Sequence, residues 1–266
     1  MTSPKTARVM PPDVPVRIVR RHHALVRVSH WLNVPLLLLL IGSGLSIHWA
    51  APVFVHAVDP VTRSKDVVGD LGVALDRVIP TAGASRDWIY DHLGFGTRNL
   101  AQVLSLHWLL AYLFMANGLL YAIGLLAGGG WRVLVPRLSD PSGAIAMMRY
   151  YLGVVPMAIL RRPWPHPPVK GPYNALQRGG YFTVIVAGAL VVLSGWAMHK
   201  PSQLGWLERL FIDYNGARVV HFACMVLFAL FVVPHVILVI LDGFDTFRSM
   251  VTGWSKRVKE DSHGEV

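Results

Sequence analysis

Four uninterrupted apolar stretches decide what this chain can fold into: about residues 28–50, 103–127, 181–199 and 219–241. Crossing a hydrocarbon core roughly 30 Å thick takes about 20 helical residues. Each stretch is that long, and none has Asp, Glu, Lys or Arg in its interior. In lipid, every backbone polar group must be satisfied within the segment, which leaves helices as the reading of such runs. The composition agrees, with 53% hydrophobic and only 15% charged residues, where a soluble domain carries about a quarter charged. The expected fold is an all-α membrane protein, a four-transmembrane-helix bundle. A fifth apolar stretch, 142–160, carries Arg149 at its centre and Pro156 near its end. A central arginine costs about 2.5–3.5 kcal/mol on insertion, so this segment reads as an additional interfacial helix.

Basic residues set the expected topology. The segment before the first span holds six Lys/Arg between Lys5 and Arg27 against Asp13, and the 130–180 connection holds seven against Asp140. The 51–102 connection is balanced, with five basic and six acidic residues. The positive-inside rule then places an N-terminal tail (1–27), the 130–180 connection and a C-terminal tail (243–266) in the cytoplasm. The four-span domain is 28–242, with loops 51–102 and 200–217 facing outward. This distribution accounts for most of the net charge of +10 and removes the need for a nucleic-acid partner. The basic leader is too long, and no small-residue cleavage site follows, for the first run to be a signal peptide. Pro11, Pro12 and Pro15 predict an irregular tail, residues 262–266 a frayed end, and 162–172 a proline-rich loop. No internal repeat stands out. One cysteine excludes a disulfide framework and a Cys-rich metal site.

Histidine is the chemically capable residue inside the spans. His221 and His235 share the last span, 14 residues apart, about 40° short of four full turns, so they point to one face about 21 Å apart along the axis. With the topology above, His30 enters span one near the inner side and His107 enters span two near the outer side. His107 then pairs with His221, and His30 with His235. Two imidazoles on facing helices at one depth suit the axial positions of a b-type haem, so two haems are expected, outer and inner. A zinc or copper site would want three or four ligands at one depth.

A porphyrin needs small residues beside it. Gly44 lies 14 residues after His30 on the same face, and Ala111 and Gly118 lie in phase with His107. Close helix packing in membranes would use the same small residues. Pro234 removes one hydrogen bond next to His235 and offers a kink. Cys224 reads as packing. His48 and His199 read as interfacial or partner-contacting residues.

The run Arg27-Val-Ser-His30-Trp31, followed by Gly42-Ser-Gly44-Leu45, resembles the start of bacterial di-haem cytochrome b subunits. These are the membrane anchors of nickel–iron hydrogenase, formate dehydrogenase and thiosulfate reductase. The resemblance extends through LHWLLAYLFMANGLLY in span two, Tyr173-Asn174-Ala-Leu-Gln177-Arg178-Gly-Gly-Tyr181, and SGWAM ending span three. The fourth span looks most like the thiosulfate-reductase-type subgroup. The resemblance covers roughly 16–255 and implies electron exchange between the quinone pool and a catalytic subunit outside the membrane. It implies a quinone site near the inner haem, at Tyr173, Asn174 and Gln177. An amide or phenol supplies the donor that a quinone carbonyl needs, though Asn174 and Gln177 would equally cap span three. Arg27 and Arg218 each precede a ligand histidine by three residues, where they would pair with haem propionates or with lipid headgroups. The implied partner is a periplasmic oxidoreductase, with a molybdenum-dependent enzyme of the sulfite-oxidase type one candidate.

Two other readings stay open. Small four-span di-haem cytochromes that act alone as superoxide:quinone oxidoreductases also resemble this chain, although the 51–102 loop suits docking better. A haem-free transporter or membrane anchor with structural histidines is the other, and the lack of acidic residues in the spans counts against ion coupling.

Overall fold

The computed structural model describes residues 16–20, 22–50, 63, 65–70, 99–160 and 174–258. Four helices in it are long and apolar enough to span a membrane. These are α1 (Ala24–Ala50), α2 (Leu100–Ala127), α5 (Ala175–His199) and α7 (Tyr214–Asp242). Shorter elements are α3 (Trp131–Leu134), α4 (Asp140–Ile159), α6 (Gly205–Leu210) and α8 (Phe244–Thr252). The chain is thus an all-α, multi-pass membrane protein.

The spanning helices start earlier than the hydropathy suggests because polar caps begin them. Asn99 accepts from the backbone N–H groups of Ala101 and Gln102, and Asp213 accepts from Gly216 at 2.8 Å. Such a cap satisfies one of the first-turn donors that the helix leaves open. Gly243 at φ 97° ends α7, and Gly253 at φ 88° ends α8, a backbone region that favours glycine. α7 continues as a helix through Pro234.

α1 packs chiefly on α2, and α5 on α7. Much of the outer surface is bare hydrocarbon: Leu38 is 65% exposed, Leu119 64%, Leu230 69% and Ile240 71%. Such a surface is tolerable facing lipid tails and unusual in water. Inside, Ser29, Ser43, Ser46 and Ser194 are fully buried. Each turns its hydroxyl back onto a carbonyl of its own helix, such as Ser29 onto Leu25 at 2.8 Å and Ser46 onto Gly42 at 2.9 Å. Small polar residues of this kind allow helices to approach closely in a membrane.

α4 lies against α5 rather than joining the spans. Arg178 of α5 grips Asp140 at the start of α4 through both nitrogens, Nε at 2.8 Å and Nη2 at 2.7 Å.

The chain ends contain regular structure that the composition did not suggest. Strand β1 (Val16–Arg20) pairs antiparallel with β2 (Trp254–Val258), Arg20 opposite Trp254. Residues 11, 12 and 15, the 162–172 loop and the 262–266 end lie outside the described residues.

Candidate functional site

Two pairs of histidines face each other across the bundle. On one side, His107 of α2 and His221 of α7 have ring centres 6.2 Å apart at 62°. On the other, His30 of α1 and His235 of α7 have ring centres 6.1 Å apart at 56°. The 14 residues between His221 and His235 separate the pairs by about 21 Å along α7. Among the described residues, no group of three or more His, Cys, Asp or Glu converges as a metal site.

The His107–His221 pair is held from behind. His107 Nδ1 lies 2.8 Å from Ser43 Oγ, and His221 Nδ1 lies 3.2 Å from Ser194 Oγ. Each serine spends its single proton on its own helix, Ser43 on the Leu40 carbonyl at 3.1 Å and Ser194 on the Leu190 carbonyl at 2.7 Å. With the proton on that carbonyl, the hydroxyl oxygen can accept from an Nδ1–H, the arrangement that goes with a bare lone pair on Nε2.

A glycine follows each of these serines and abuts the same ring. A Cβ added at Gly44 would sit 3.7 Å from His107 Cε1, and one at Gly195 would sit 3.3 Å from His221 Cε1. Gly44 and Ala111 line a cavity of about 350 Å³ together with His107 and His221, within the roughly 300–1,000 Å³ typical of cofactor sites. Gly118 is exposed and has open space around it, so packing gives it no comparable role.

The His30–His235 pair is surrounded by aromatics. Phe231, one turn before His235, stacks on it at 5.3 Å and 18°, and Tyr181 meets it edge-on at 6.4 Å. Trp31 stands edge-on to His30 at 5.4 Å. His30 Nδ1 is buried without a hydrogen-bond partner among the described residues. Nearby, Asn117 of α2 donates to the Ser29 carbonyl at 2.9 Å and to Asn33 Oδ1 at 2.8 Å.

Asn174 and Gln177 form a capping box at the start of α5. Asn174 Oδ1 accepts from the Gln177 backbone at 2.9 Å, and Gln177 Oε1 accepts from the Asn174 backbone at 3.1 Å. Asn174 also donates to Tyr151 Oη at 3.0 Å. Tyr181, which touches His235, is one turn beyond Gln177 and therefore on its face. Tyr173 lies outside the described residues.

Both flanking arginines have protein partners. Arg27 donates from Nη1 to the Val251 carbonyl of α8, beside Trp31, whose Nε1–H reaches the Met250 carbonyl at 3.2 Å. Arg218 pairs with buried Asp66, whose other oxygen accepts from the Gly69 N–H at 3.0 Å. Arg218 and His48 also line the outer cavity. His199 lies on Trp108 with ring centres 3.6 Å apart. Cys224 is buried in an apolar cluster with Ala187 and Phe228.

Ser43, Ser194 and Gly195 are the residues that sequence reading missed. Their signal was the dipeptide Ser-Gly, which occurs inside spans as Ser43-Gly44 and Ser194-Gly195 and outside them as Ser142-Gly143.

Residues 21–253 match the family model for prokaryotic cytochrome b561. A relative in Azospira oryzae, named as the candidate protein-methionine-sulfoxide reductase subunit YedZ1, is 30% identical over 223 residues, covering 83% of this chain and 90% of the relative. No solved structure matches. A match over residues 21–253, nearly the whole bundle, places this chain in the prokaryotic cytochrome b561 family of membrane haem proteins.

Proposed function

We propose that the chain holds two b haems, an outer one between His107 and His221 and an inner one between His30 and His235. On this reading it passes electrons between the quinone pool and an oxidoreductase partner on the periplasmic side. The observation that carries the reading is the ring separation, 6.2 Å in one pair and 6.1 Å in the other. An imidazole nitrogen binds a first-row metal at about 2 Å and sits about 1.1 Å from its ring centre, so two imidazoles on one ion have centres about 6 Å apart. Both pairs have the spacing needed to hold an iron from two sides. A haem held by His107 and His221, or by His30 and His235, would supply one-electron transfer there.

The protein supplies the rest. Ser43 and Ser194 present Nε2 of the outer imidazoles, and Phe231 braces the ring of His235. Gln177 stands at the inner end of α5, one turn from Tyr181 and its contact with His235, where its amide can donate to a quinone carbonyl. Tyr173 and Asn174 complete the quinone candidates. Arg27 and Arg218 stand at opposite ends as propionate partners, Arg218 by exchanging or sharing its link to Asp66. Residues 1–27 and 243–266 face the cytoplasm in this arrangement, in a bacterial inner membrane.

The relative's name supports a partner that reduces oxidised methionine in proteins, and the subgroup resemblance supports a molybdenum-dependent one. The 51–102 and 200–217 connections would receive it. Haem content and a dithionite-reduced difference spectrum of the purified chain test the reading first. Two b haems per chain with a sharp low-spin α band are expected. One haem, or none, would overturn the two-site assignment. Reduction of both haems by quinol in proteoliposomes, before any partner is added, tests the quinone end.

A further inference from the structure

The two histidine pairs have the same spacing but differ behind the ring. Each imidazole of the His107–His221 pair has Nδ1 within hydrogen-bond distance of a buried serine of a neighbouring helix, whose hydroxyl also reaches a main-chain carbonyl; with Nε2 given to a metal, Nδ1 carries the proton and donates it to the serine oxygen. At the inner pair, His30 Nδ1 is buried with no partner among the described residues. The arrangement is also repeated. Ser43-Gly44 on α1 serves His107 on α2, and Ser194-Gly195 on α5 serves His221 on α7, so each packed pair of helices contributes one ligand and its support.

We propose that Ser43 and Ser194 are positioning residues that set the redox potential of the outer site, holding it lower than the ligands alone would. This rests on the two-haem reading. The physical reason is the direction of the hydrogen bond. A group accepting from Nδ1–H raises the electron density of the imidazole and makes Nε2 a stronger donor to the metal. A stronger donor favours ferric over ferrous iron and lowers the midpoint potential, through the second-shell lever available to a haem protein. A chain of bonds from main-chain carbonyl to hydroxyl to imidazole is polarised along its length, which strengthens the effect in a low-dielectric interior. The neighbouring glycines leave room for the ring to sit against the serine. The inner site, with His30 unsupported, receives no such shift from that ligand. The serines therefore act on one site and bias the distribution of electrons toward the other.

The test is a redox titration of the haem-loaded chain in detergent, following the α band, with near-infrared magnetic circular dichroism of the ferric state. In S43A and S194A the outer component should rise in potential while the inner stays in place. The double variant should rise further than either single one. The S43C and S194C variants are nearly isosteric and have only a weak acceptor, so they should move in the same direction by less. They also carry the test where alanine weakens folding. Two haems per chain with an outer potential unmoved in the cysteine and alanine variants would overturn the assignment of these serines. Fewer than two haems in the wild-type chain would overturn the two-haem reading itself, so the two failures are distinguishable. A purely structural role would alter haem content or thermal stability without this one-sided shift in potential.

Discussion

His30 and His235 face each other with ring centres 6.1 Å apart although 205 residues separate them, and the outer pair repeats that distance at 6.2 Å. Equal spacing at two depths is what the proposed two-haem assignment requires of the two pairs. Each pair also combines α7 with a helix of the other hairpin. Losing one imidazole should therefore empty one site and leave the second intact.

Replacing His107 or His221 by alanine should lower haem content from two to one per chain and remove the outer spectral component. H30A and H235A should remove the inner component instead. Pyridine haemochrome assay on each purified variant measures this. A variant of the outer pair that loses the inner signal would mean that the histidines are paired wrongly.

The two glycines beside the outer pair should not respond equally. A methyl at Gly44 would make ordinary contact with His107 at 3.7 Å, whereas one at Gly195 would press on His221 Cε1 at 3.3 Å. Alanine is better than glycine inside a helix by about 1 kcal/mol, so both variants should fold. G44A should keep the wild-type spectrum. G195A should shift or broaden the outer α band, and G195V should lose the outer haem. Reduced-minus-oxidised spectra decide it, and identical spectra for G44A and G195A would remove the steric argument.

The spans were legible because lipid imposes one strict rule, and a run of apolar residues without charge obeys it. The histidine pairs followed from the 14-residue spacing on α7 combined with the charge asymmetry of the loops. What sits behind the histidines was not legible. The Ser43–His107 bond joins residues 64 apart, and Ser194–His221 joins residues 27 apart, so neither has a local pattern. The β1–β2 ribbon escaped for a similar reason. Val16–Arg20 breaks strict alternation at Ile18-Val19, and its partner lies at the far end of the chain. Asn174 and Gln177 showed the opposite difficulty, since one pair of residues suits both a capping box and a ligand site.

The link between α4 and α5 should depend on pH in one direction only. The Arg178 guanidinium, with the Arg137 backbone N–H, holds the Asp140 carboxyl below its usual value. The group is thus more acidic folded than unfolded, where a carboxyl titrates near about 3.9. Its contribution to stability is complete above that value and is lost as pH falls through the lower folded value. D140N should melt below wild type at pH 7, and the gap should close in the acid range below pH of about 4. Thermal unfolding in detergent across pH measures it. A gap of constant size would mean that the carboxylate charge contributes nothing there.

Gln177 offers a way to separate capping from quinone binding. Its Oε1 accepts from the Asn174 backbone at 3.1 Å, while its amide nitrogen makes no hydrogen bond among the described residues. Glutamate at this position of a capping box accepts as well as glutamine, so Q177E keeps the cap while replacing the donor by a negatively charged acceptor. N174A, in contrast, removes the cap, at a cost of about 0.5–2 kcal/mol. If Gln177 binds a quinone carbonyl, Q177E should keep the wild-type melting temperature and both haems. Its KM for quinol should rise about two- to tenfold, the range expected for one hydrogen bond of about 0.5–1.5 kcal/mol. N174A should show the reverse emphasis, with lower stability and a smaller change in KM per molecule folded. Steady-state haem reduction by quinol in proteoliposomes, set beside melting curves of the same preparations, gives both quantities. An unchanged KM in Q177E with the melting temperature preserved would confine Gln177 to the helix cap.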